Sequence, residues 1–331
     1  MKQTLLVLAL LISFTACNNQ EPKTMKLVAG SGHEGFTDGN SADLNKPIRF
    51  APYTENSIIF ADINNHAIRI VTIDGEVTTI VGAPDKAGYQ DGSAETAKFD
   101  SPHGVAYDKE SDIIYVTEAG NHTVRMITKN DQGGFEVSTL AGAPDRNGFM
   151  DGPVDSARFI SPHAVVVCND GGIAVADIGN ARIRKIKDGI VYTLAGGGAG
   201  ENQDGTPEEA SFKYVMDIVS DGESIYMADA GTHQIRKIVP GKEVTTLTLS
   251  DKLNIPHGIA VDKNKNLYIA DMGTHRILKI DPKGNVTAIA GTGERGTGLL
   301  QLNKPAAVLV HGKYLWIADL NNHQIKVIEI E

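Results

Sequence analysis

Two cysteines in 331 residues leave no disulfide framework and no Cys-x-x-Cys pair to seat a metal or a redox couple. Positive charge is in deficit, with 31 Lys and Arg against 41 Asp and Glu, and a net charge of −10 repels the phosphates that a nucleic-acid binder must neutralise. The local basic clusters, Arg182, Arg184, Lys185 and Lys187 on one strand and Arg236-Lys237 on another, read as solvated strand edges. Apolar runs are short: the longest, residues 5–12, is too brief to cross a bilayer, which takes about 20 residues. Helical periodicity is missing beyond the first twenty residues. Also missing are the GxSxG nucleophile elbow, HExxH and the P-loop. Gly196-Gly197-Gly198 follows a strand pattern but opens no helix, so it is a loop and not a phosphate cradle.

What is present is one segment written six times: ADINNHAIRI from Ala61, TEAGNHTVRM from Thr117, ADIGNARIRK from Ala176, ADAGTHQIRK from Ala228, ADMGTHRILK from Ala270 and ADLNNHQIKV from Ala318. The acidic anchors are Asp62, Glu118, Asp177, Asp229, Asp271 and Asp319, a recurrence that marks a repeat architecture with the excess length in loops. Each unit holds four strand-type runs bounded by Gly, Asn, Asp and Pro, as in HGIAVD, NLYIADM, HRILKID and NVTAIAG of the fifth. Four short strands repeated radially describe an all-β six-bladed β-propeller of four-stranded blades. The sixth unit runs out of chain before its fourth strand, while Lys26-Leu27-Val28-Ala29-Gly30 matches the fourth strands of the others. Pairing the two closes the ring and removes an open sheet edge. The expected organisation is a signal at 1–16, a tether at 17–24 and one propeller at 25–331.

The ADxxNHxIRKI segments, the TLAG strands and the PHGVA or PHGIA starts resemble NHL repeats over essentially the whole chain after the leader. The resemblance implies the propeller and leaves function open, because similar propellers include protein scaffolds, RNA binders, sensor domains and a lyase family.

At the N-terminus Lys2 precedes the apolar run, and Phe14-Thr15-Ala16-Cys17 closes it. The pattern resembles a bacterial lipoprotein signal, departing from it at Phe14 where Leu is usual. It implies lipidation of Cys17, a polar tether at residues 18–24 and an extracytoplasmic propeller held at a cell-envelope membrane by its lipid alone. The competing reading is a plain secretory signal cleaved after Ala16. Cys168, in the apolar run HAVVVCN, reads as a small core hydrophobe.

Three constellations could carry function. The His four residues after the acid, His66, His122, His233, His275 and His323, with Ala181 in the third unit, is copied around the ring and reads as architecture, donating a hydrogen bond to a carbonyl or carboxylate. The second is the Pro-His start of three first strands, Pro102-His103, Pro162-His163 and Pro256-His257. In a propeller these strands line the channel, so three imidazoles would gather at one mouth, alongside Arg49, Met216-Asp217 and Ala306 from the other blades. Three imidazoles with a fourth position open make a zinc site of the catalytic kind. The peptidyl-amidating lyases, a similar propeller family, hold zinc by His in the channel, which makes His103, His163 and His257 the metal candidates by resemblance. The same residues with Arg49 and Asp217 could instead contact a ligand without metal.

The third constellation is the insertion D-G-x4-A-x-F: Asp91-Gly92 with Ala97 and Phe99, Asp151-Gly152 with Ala157 and Phe159, and Asp204-Gly205 with Ala210 and Phe212, with a shorter version at Asp38-Gly39, Ala42 and Leu44. The acids suit turn chemistry better than calcium, because they do not alternate at ligand spacing. The final aromatic should plug the groove between blades. Residues just before each Asp-Gly, among them Phe36, Tyr89, Phe149 and Met150, should form an aromatic rim framing an acidic mouth, with Tyr89 and Phe149 as ligand-binding candidates. The leading expectation is a binding scaffold for protein, peptide or glycan on this loop-rich face, without nucleic acid. The alternative is a metal-dependent lyase or lactone hydrolase at the channel mouth around His103, His163 and His257.

Overall fold

A computed structural model describes residues 23–197 and 202–330. The expected signal, the lipidated Cys17, most of the tether and Gly198 lie outside the described residues. Six antiparallel sheets are formed, and each first strand touches the first strand of the next sheet, the sixth touching the first again. These inner strands are Pro47–Thr54, Pro102–Asp108, Pro162–Val167, Val215–Ser220, Pro256–Val261 and Pro305–His311. We call the sheets blades one to six in that order. The ring closes as the repeat pattern requires: Lys26–Ala29 pairs with Gln324–Glu329, Lys26 opposite Val327 and Ala29 opposite Ile325.

Each blade is sandwiched between two others, so its middle strands have no solvated face. The second strands Ser57–Asp62, Ile173–Asp177, Ile225–Asp229 and Leu267–Asp271 are buried at every residue. The apolar core is accordingly divided into six clusters, one per blade interface; Ile48, Ile59 and Ile68 of blade one meet Val105, Ile114 and Ile127 of blade two. Phe99, Phe159, Phe212 and Leu44 are fully buried in four of these interfaces, as the insertions predict. Each such aromatic contributes roughly 1.5–3 kcal/mol of transfer free energy.

The insertions do more than fill grooves. The Gly after each Asp runs along the outer strand of the blade that follows, pairing as Gly39 with Val77, Gly92 with Val137, Gly152 with Val191 and Gly205 with Val244. In blades two and three this makes a short fifth strand, Gly92–Ser93 and Gly152–Pro153. The outer edges of four blades are thereby covered, which the repeat pattern alone does not reveal.

The recurrent turn is built as a junction between blades. His66, His122, Ala181, His233, His275 and His323 all adopt a left-handed conformation, with φ between 50° and 59°. The histidines do not donate as expected. Nδ1 instead accepts the backbone N–H just ahead of the next inner strand: His66 from Ser101 at 3.2 Å, His122 from Ser161 at 3.0 Å, His233 from Ile255 at 2.9 Å, His275 from Lys304 at 3.1 Å and His323 from Lys46 at 3.3 Å. The reason is geometric, since the carboxylate ahead of each turn is already filled. Asp62 takes the N–H of Asn45 at 2.7 Å, the amide of Asn65 at 2.8 Å and the guanidinium of Arg69 at 2.8 Å.

Candidate functional site

The inner strands run side by side in register, which brings their second and third residues to one mouth of the channel. A Cβ on Gly104 would sit 2.7 Å from the His163 carbonyl, and one on Gly258 2.6 Å from that of Ala306. Only glycine permits strands to approach so closely there. One consequence is a shared bond: His103 donates Nδ1–H to the carbonyl of His163, and His257 to that of Ala306, each at 2.9 Å.

Blade one departs from this pattern. All six inner strands are bulged near their start, but where the other five carry the extra residue at the second position, in blade one it falls a residue later, between Ile48 and Phe50, and is Arg49, at φ 45° with its side chain directed across the channel. Its guanidinium reaches the far blades, donating to the carbonyls of Ala306 at 2.9 Å and His257 at 3.2 Å and to that of Met216. Nε lies 3.2 Å from Asp217 Oδ1. The Asp217 carboxylate also accepts the N–H groups of Ile218 and Ile259, both at 2.9 Å. Arg49 is only 4% exposed, so a bidentate-capable cation closes the channel by bonds to three other blades.

By taking the Met216 carbonyl, Arg49 removes the partner that His163 would have by analogy with its two counterparts. His163 Nδ1 is buried without a hydrogen bond, and its ring stacks on His103 with centroids 3.9 Å apart. Burial and then the Arg49 charge push the imidazoles of His163 and His257 down to about 3; burial, assisted by His163, Arg49 and His257, holds His103 well below its usual range. Burial also raises the Asp217 carboxyl, against the pull of Arg49. The centre is therefore one ion pair among neutral imidazoles.

The five channel candidates, Arg49, His103, His163, Asp217 and His257, are thus brought together, but not as a metal site. Two imidazoles stack face to face, two spend Nδ1 on carbonyls, and a cation stands among them. Among the described residues no group of three or more His, Cys, Asp or Glu side chains is arranged to hold a metal ion. The zinc expected of His103, His163 and His257 does not fit this donor set. Asp217, the carboxylate among the five, is buried and paired with Arg49.

Tyr89 and Phe149 lie elsewhere, over the third and fourth strands. Each covers a buried arginine: the Arg125 guanidinium is sandwiched between Tyr89 at 4.9 Å and Phe99 at 5.1 Å, and that of Arg184 between Phe149 at 4.9 Å and Phe159 at 5.0 Å. Their outer faces remain open, Tyr89 being 40% and Phe149 47% exposed. The rim is real but peripheral, and its rings are held rigidly by cation–π contacts.

These arginines correct the reading of the basic strands as solvated. Arg69, Arg125, Arg184 and Arg236 are fully buried, and Lys185 nearly so. Arg125 ties Glu118 at 2.6 Å, Asp91 at 2.6 Å and the carbonyls of Gln90 and Lys98 into one network, and Asp91 in turn binds the N–H and hydroxyl of Thr139. The Asp of each Asp-Gly pair is bound in this way to an arginine and a threonine, the turn chemistry expected of it. A signal was available: a cation stands seven residues after the acid in every copy but the fifth, which has Leu278 there. Cys168 is a half-buried free thiol beside the interface of blades three and four.

Comparison with known proteins gives three findings. The profile of the SMP-30/gluconolactonase/LRE-like region family matches residues 50–297. NHL repeat-containing protein 2 of Bos taurus is 29% identical over 338 residues, covering 84% of this chain and 46% of its own length, so the chain spans about half of that relative. Among solved structures, a protein of unknown function from Bacteroides thetaiotaomicron superposes with a TM-score of 0.67 at 18% identity, covering 92% of this chain and 75% of its own. A gluconolactonase from Xanthomonas campestris superposes with a TM-score of 0.61 at 14% identity, covering 86% of each. At these identities the structural likeness is one of fold.

Proposed function

The chain belongs to the SMP-30/gluconolactonase/LRE-like family and is built of NHL-type repeats, and from that premise we propose that it is a binding propeller rather than an enzyme. Its ligand is a protein, peptide or glycan taken on the loop-rich face, and a lipid on Cys17 holds it outside the cytoplasm at a cell-envelope membrane. One observation carries the choice of binding over catalysis: Arg49 fills the channel mouth, its guanidinium held by three backbone carbonyls and paired with Asp217, while the Nδ1 atoms of His103 and His257 are spent on carbonyls and only that of His163 is left without a hydrogen bond. A catalytic centre needs groups free to meet a reacting atom. The exposed outer faces of Tyr89 and Phe149 support the location, because rings already immobilised on Arg125 and Arg184 lose little freedom on binding.

The test has two parts. Purified protein given glucono-lactone, with added zinc or calcium and again after chelation, is expected to hydrolyse it no faster than buffer does; metal-dependent turnover overturns the reading. On an array of envelope glycans and peptides, a ligand retained by the protein should bind at least about tenfold more weakly to the Tyr89→Ser, Phe149→Ser variant, a loss of about 1.4 kcal/mol. Cys17→Ser should move the protein from the membrane to the soluble fraction of a bacterial host, and retention in the membrane would remove the anchor from the proposal. No helix among the described residues is long and apolar enough to cross a membrane.

A further inference from the structure

Beyond the Arg49–Asp217 plug the channel opens again, away from the insertions. A cavity of about 300 Å³ lies there, walled by the second halves of all six inner strands, with Arg49 and Asp217 at its blind end. Burial is graded along the walls. Ala51, Val105, Val165, Ile218, Ile259 and Val308 are buried near the plug, whereas Tyr107, Val166, Val219, Val261, Leu309 and Val310 are half-exposed at the far mouth. Each of these six packs partly against a blade-interface core and leaves only part of its apolar surface to the opening, at the face that carries the hairpins.

We propose that this cavity is a second binding site, for a small uncharged and mainly aliphatic molecule bearing a hydroxyl or carbonyl. Three observations carry the choice. The floor offers no free charge, because the Asp217 oxygens and the Arg49 nitrogens are engaged with each other and with backbone groups, so an ionic ligand would find no counter-ion. The walls are mainly Val, Ile, Leu and Ala with Phe50, Pro52 and Tyr107, and the side chain of Ser220 and the inner edges of the strands offer donors and acceptors to one polar group. The volume admits about ten groups of water size, at roughly 30 Å³ each, which is a single small molecule and too little for a folded partner. Closure at one end supplies the enclosure that a surface groove lacks. This site is independent of ligand binding on the insertion face, from which the plug separates it.

The probe is decan-1-ol, titrated into the purified protein by calorimetry. Saturable binding of one molecule per chain is expected. Val166→Trp and Val261→Trp, on different blades at the half-exposed mouth, should each weaken it at least about tenfold while leaving the melting temperature within a few degrees of the parent. Tyr89→Ser, on the opposite face, should leave it unchanged. The inference is overturned if the parent shows no saturable binding, if both tryptophan variants bind as the parent does, or if Tyr89→Ser removes the binding. Failure here leaves the insertion-face proposal standing, and failure on the glycan and peptide array leaves this one standing.

Discussion

Arg49 holds a guanidinium at the centre of the ring with 4% of its surface exposed. Its desolvation is offset by Asp217 and by the carbonyls of Met216, His257 and Ala306, and burial still lowers its proton affinity. Taking away one member of a buried pair strands the other, typically at about 3–5 kcal/mol. Arg49→Met should therefore destabilise the protein by that amount in urea denaturation, and Arg49→Lys should not rescue it, because a point donor cannot span three carbonyls and a carboxylate. Arg49→Met combined with Asp217→Leu should recover much of the loss. A loss below about 1 kcal/mol for Arg49→Met would mean that water replaces the plug, and the assignment of this site as closed would fail.

At the scale of the element, the turn between second and third strands couples each blade to the next. The acid orders the turn, the left-handed His directs its ring outward, and Nδ1 accepts the N–H that precedes the next inner strand. His122→Ala leaves the Ser161 N–H without its acceptor in a partly buried junction, a loss of about 1–2 kcal/mol. Hydrogen exchange at the Ser161 amide should accelerate in that variant while exchange within the strand Thr123–Lys129 stays slow. Unchanged exchange at Ser161 would show that the junction is held by other bonds. Blade three already lives with Ala181; there the Asp229 carboxylate takes over, accepting the N–H groups of Lys213 and Tyr214, both at 3.0 Å.

At the scale of the whole molecule, three blades place neutral imidazoles where all six meet, beside the Arg49 charge. An unfolded chain protonates these histidines near 6.5, whereas folded His163 and His257 remain neutral down to about 3. Between those values the unfolded state binds more protons, so stability is complete above pH 6.5 and falls as the pH drops through the window. Burial depresses His323 too, which acts in the same sense. Urea denaturation between pH 7 and 4.5 should show this loss, and replacing His163 and His257 by Gln should flatten the curve. A profile indifferent to that double substitution would mean that protonated imidazoles are tolerated in the channel. The same convergence links function to fold, because the plug divides one channel into two mouths with different chemistry.

Much of this was legible along the chain. The six copies of the acid and His segment, the four-strand units and the orphan strand Lys26–Ala29 determine the propeller and its closure, because repeat, alternation and turn chemistry are local and each copy corroborates the others. The aromatic wedges Phe99, Phe159 and Phe212 were readable for the same reason. The sequence also named the residues at the mouth, Arg49, His103, His163, Asp217 and His257. What they do there was decided only in three dimensions. Arg49 and His257 stand 208 positions apart and meet across the ring because the bulge common to the inner strands falls one residue later in blade one. Once Arg49 takes the Met216 carbonyl, His163 is left to stack on His103 with its Nδ1 unpartnered, while His103 and His257 bond backbone carbonyls. Which groups stay free depends on competition for partners among distant blades, and a one-dimensional pattern carries no record of that competition.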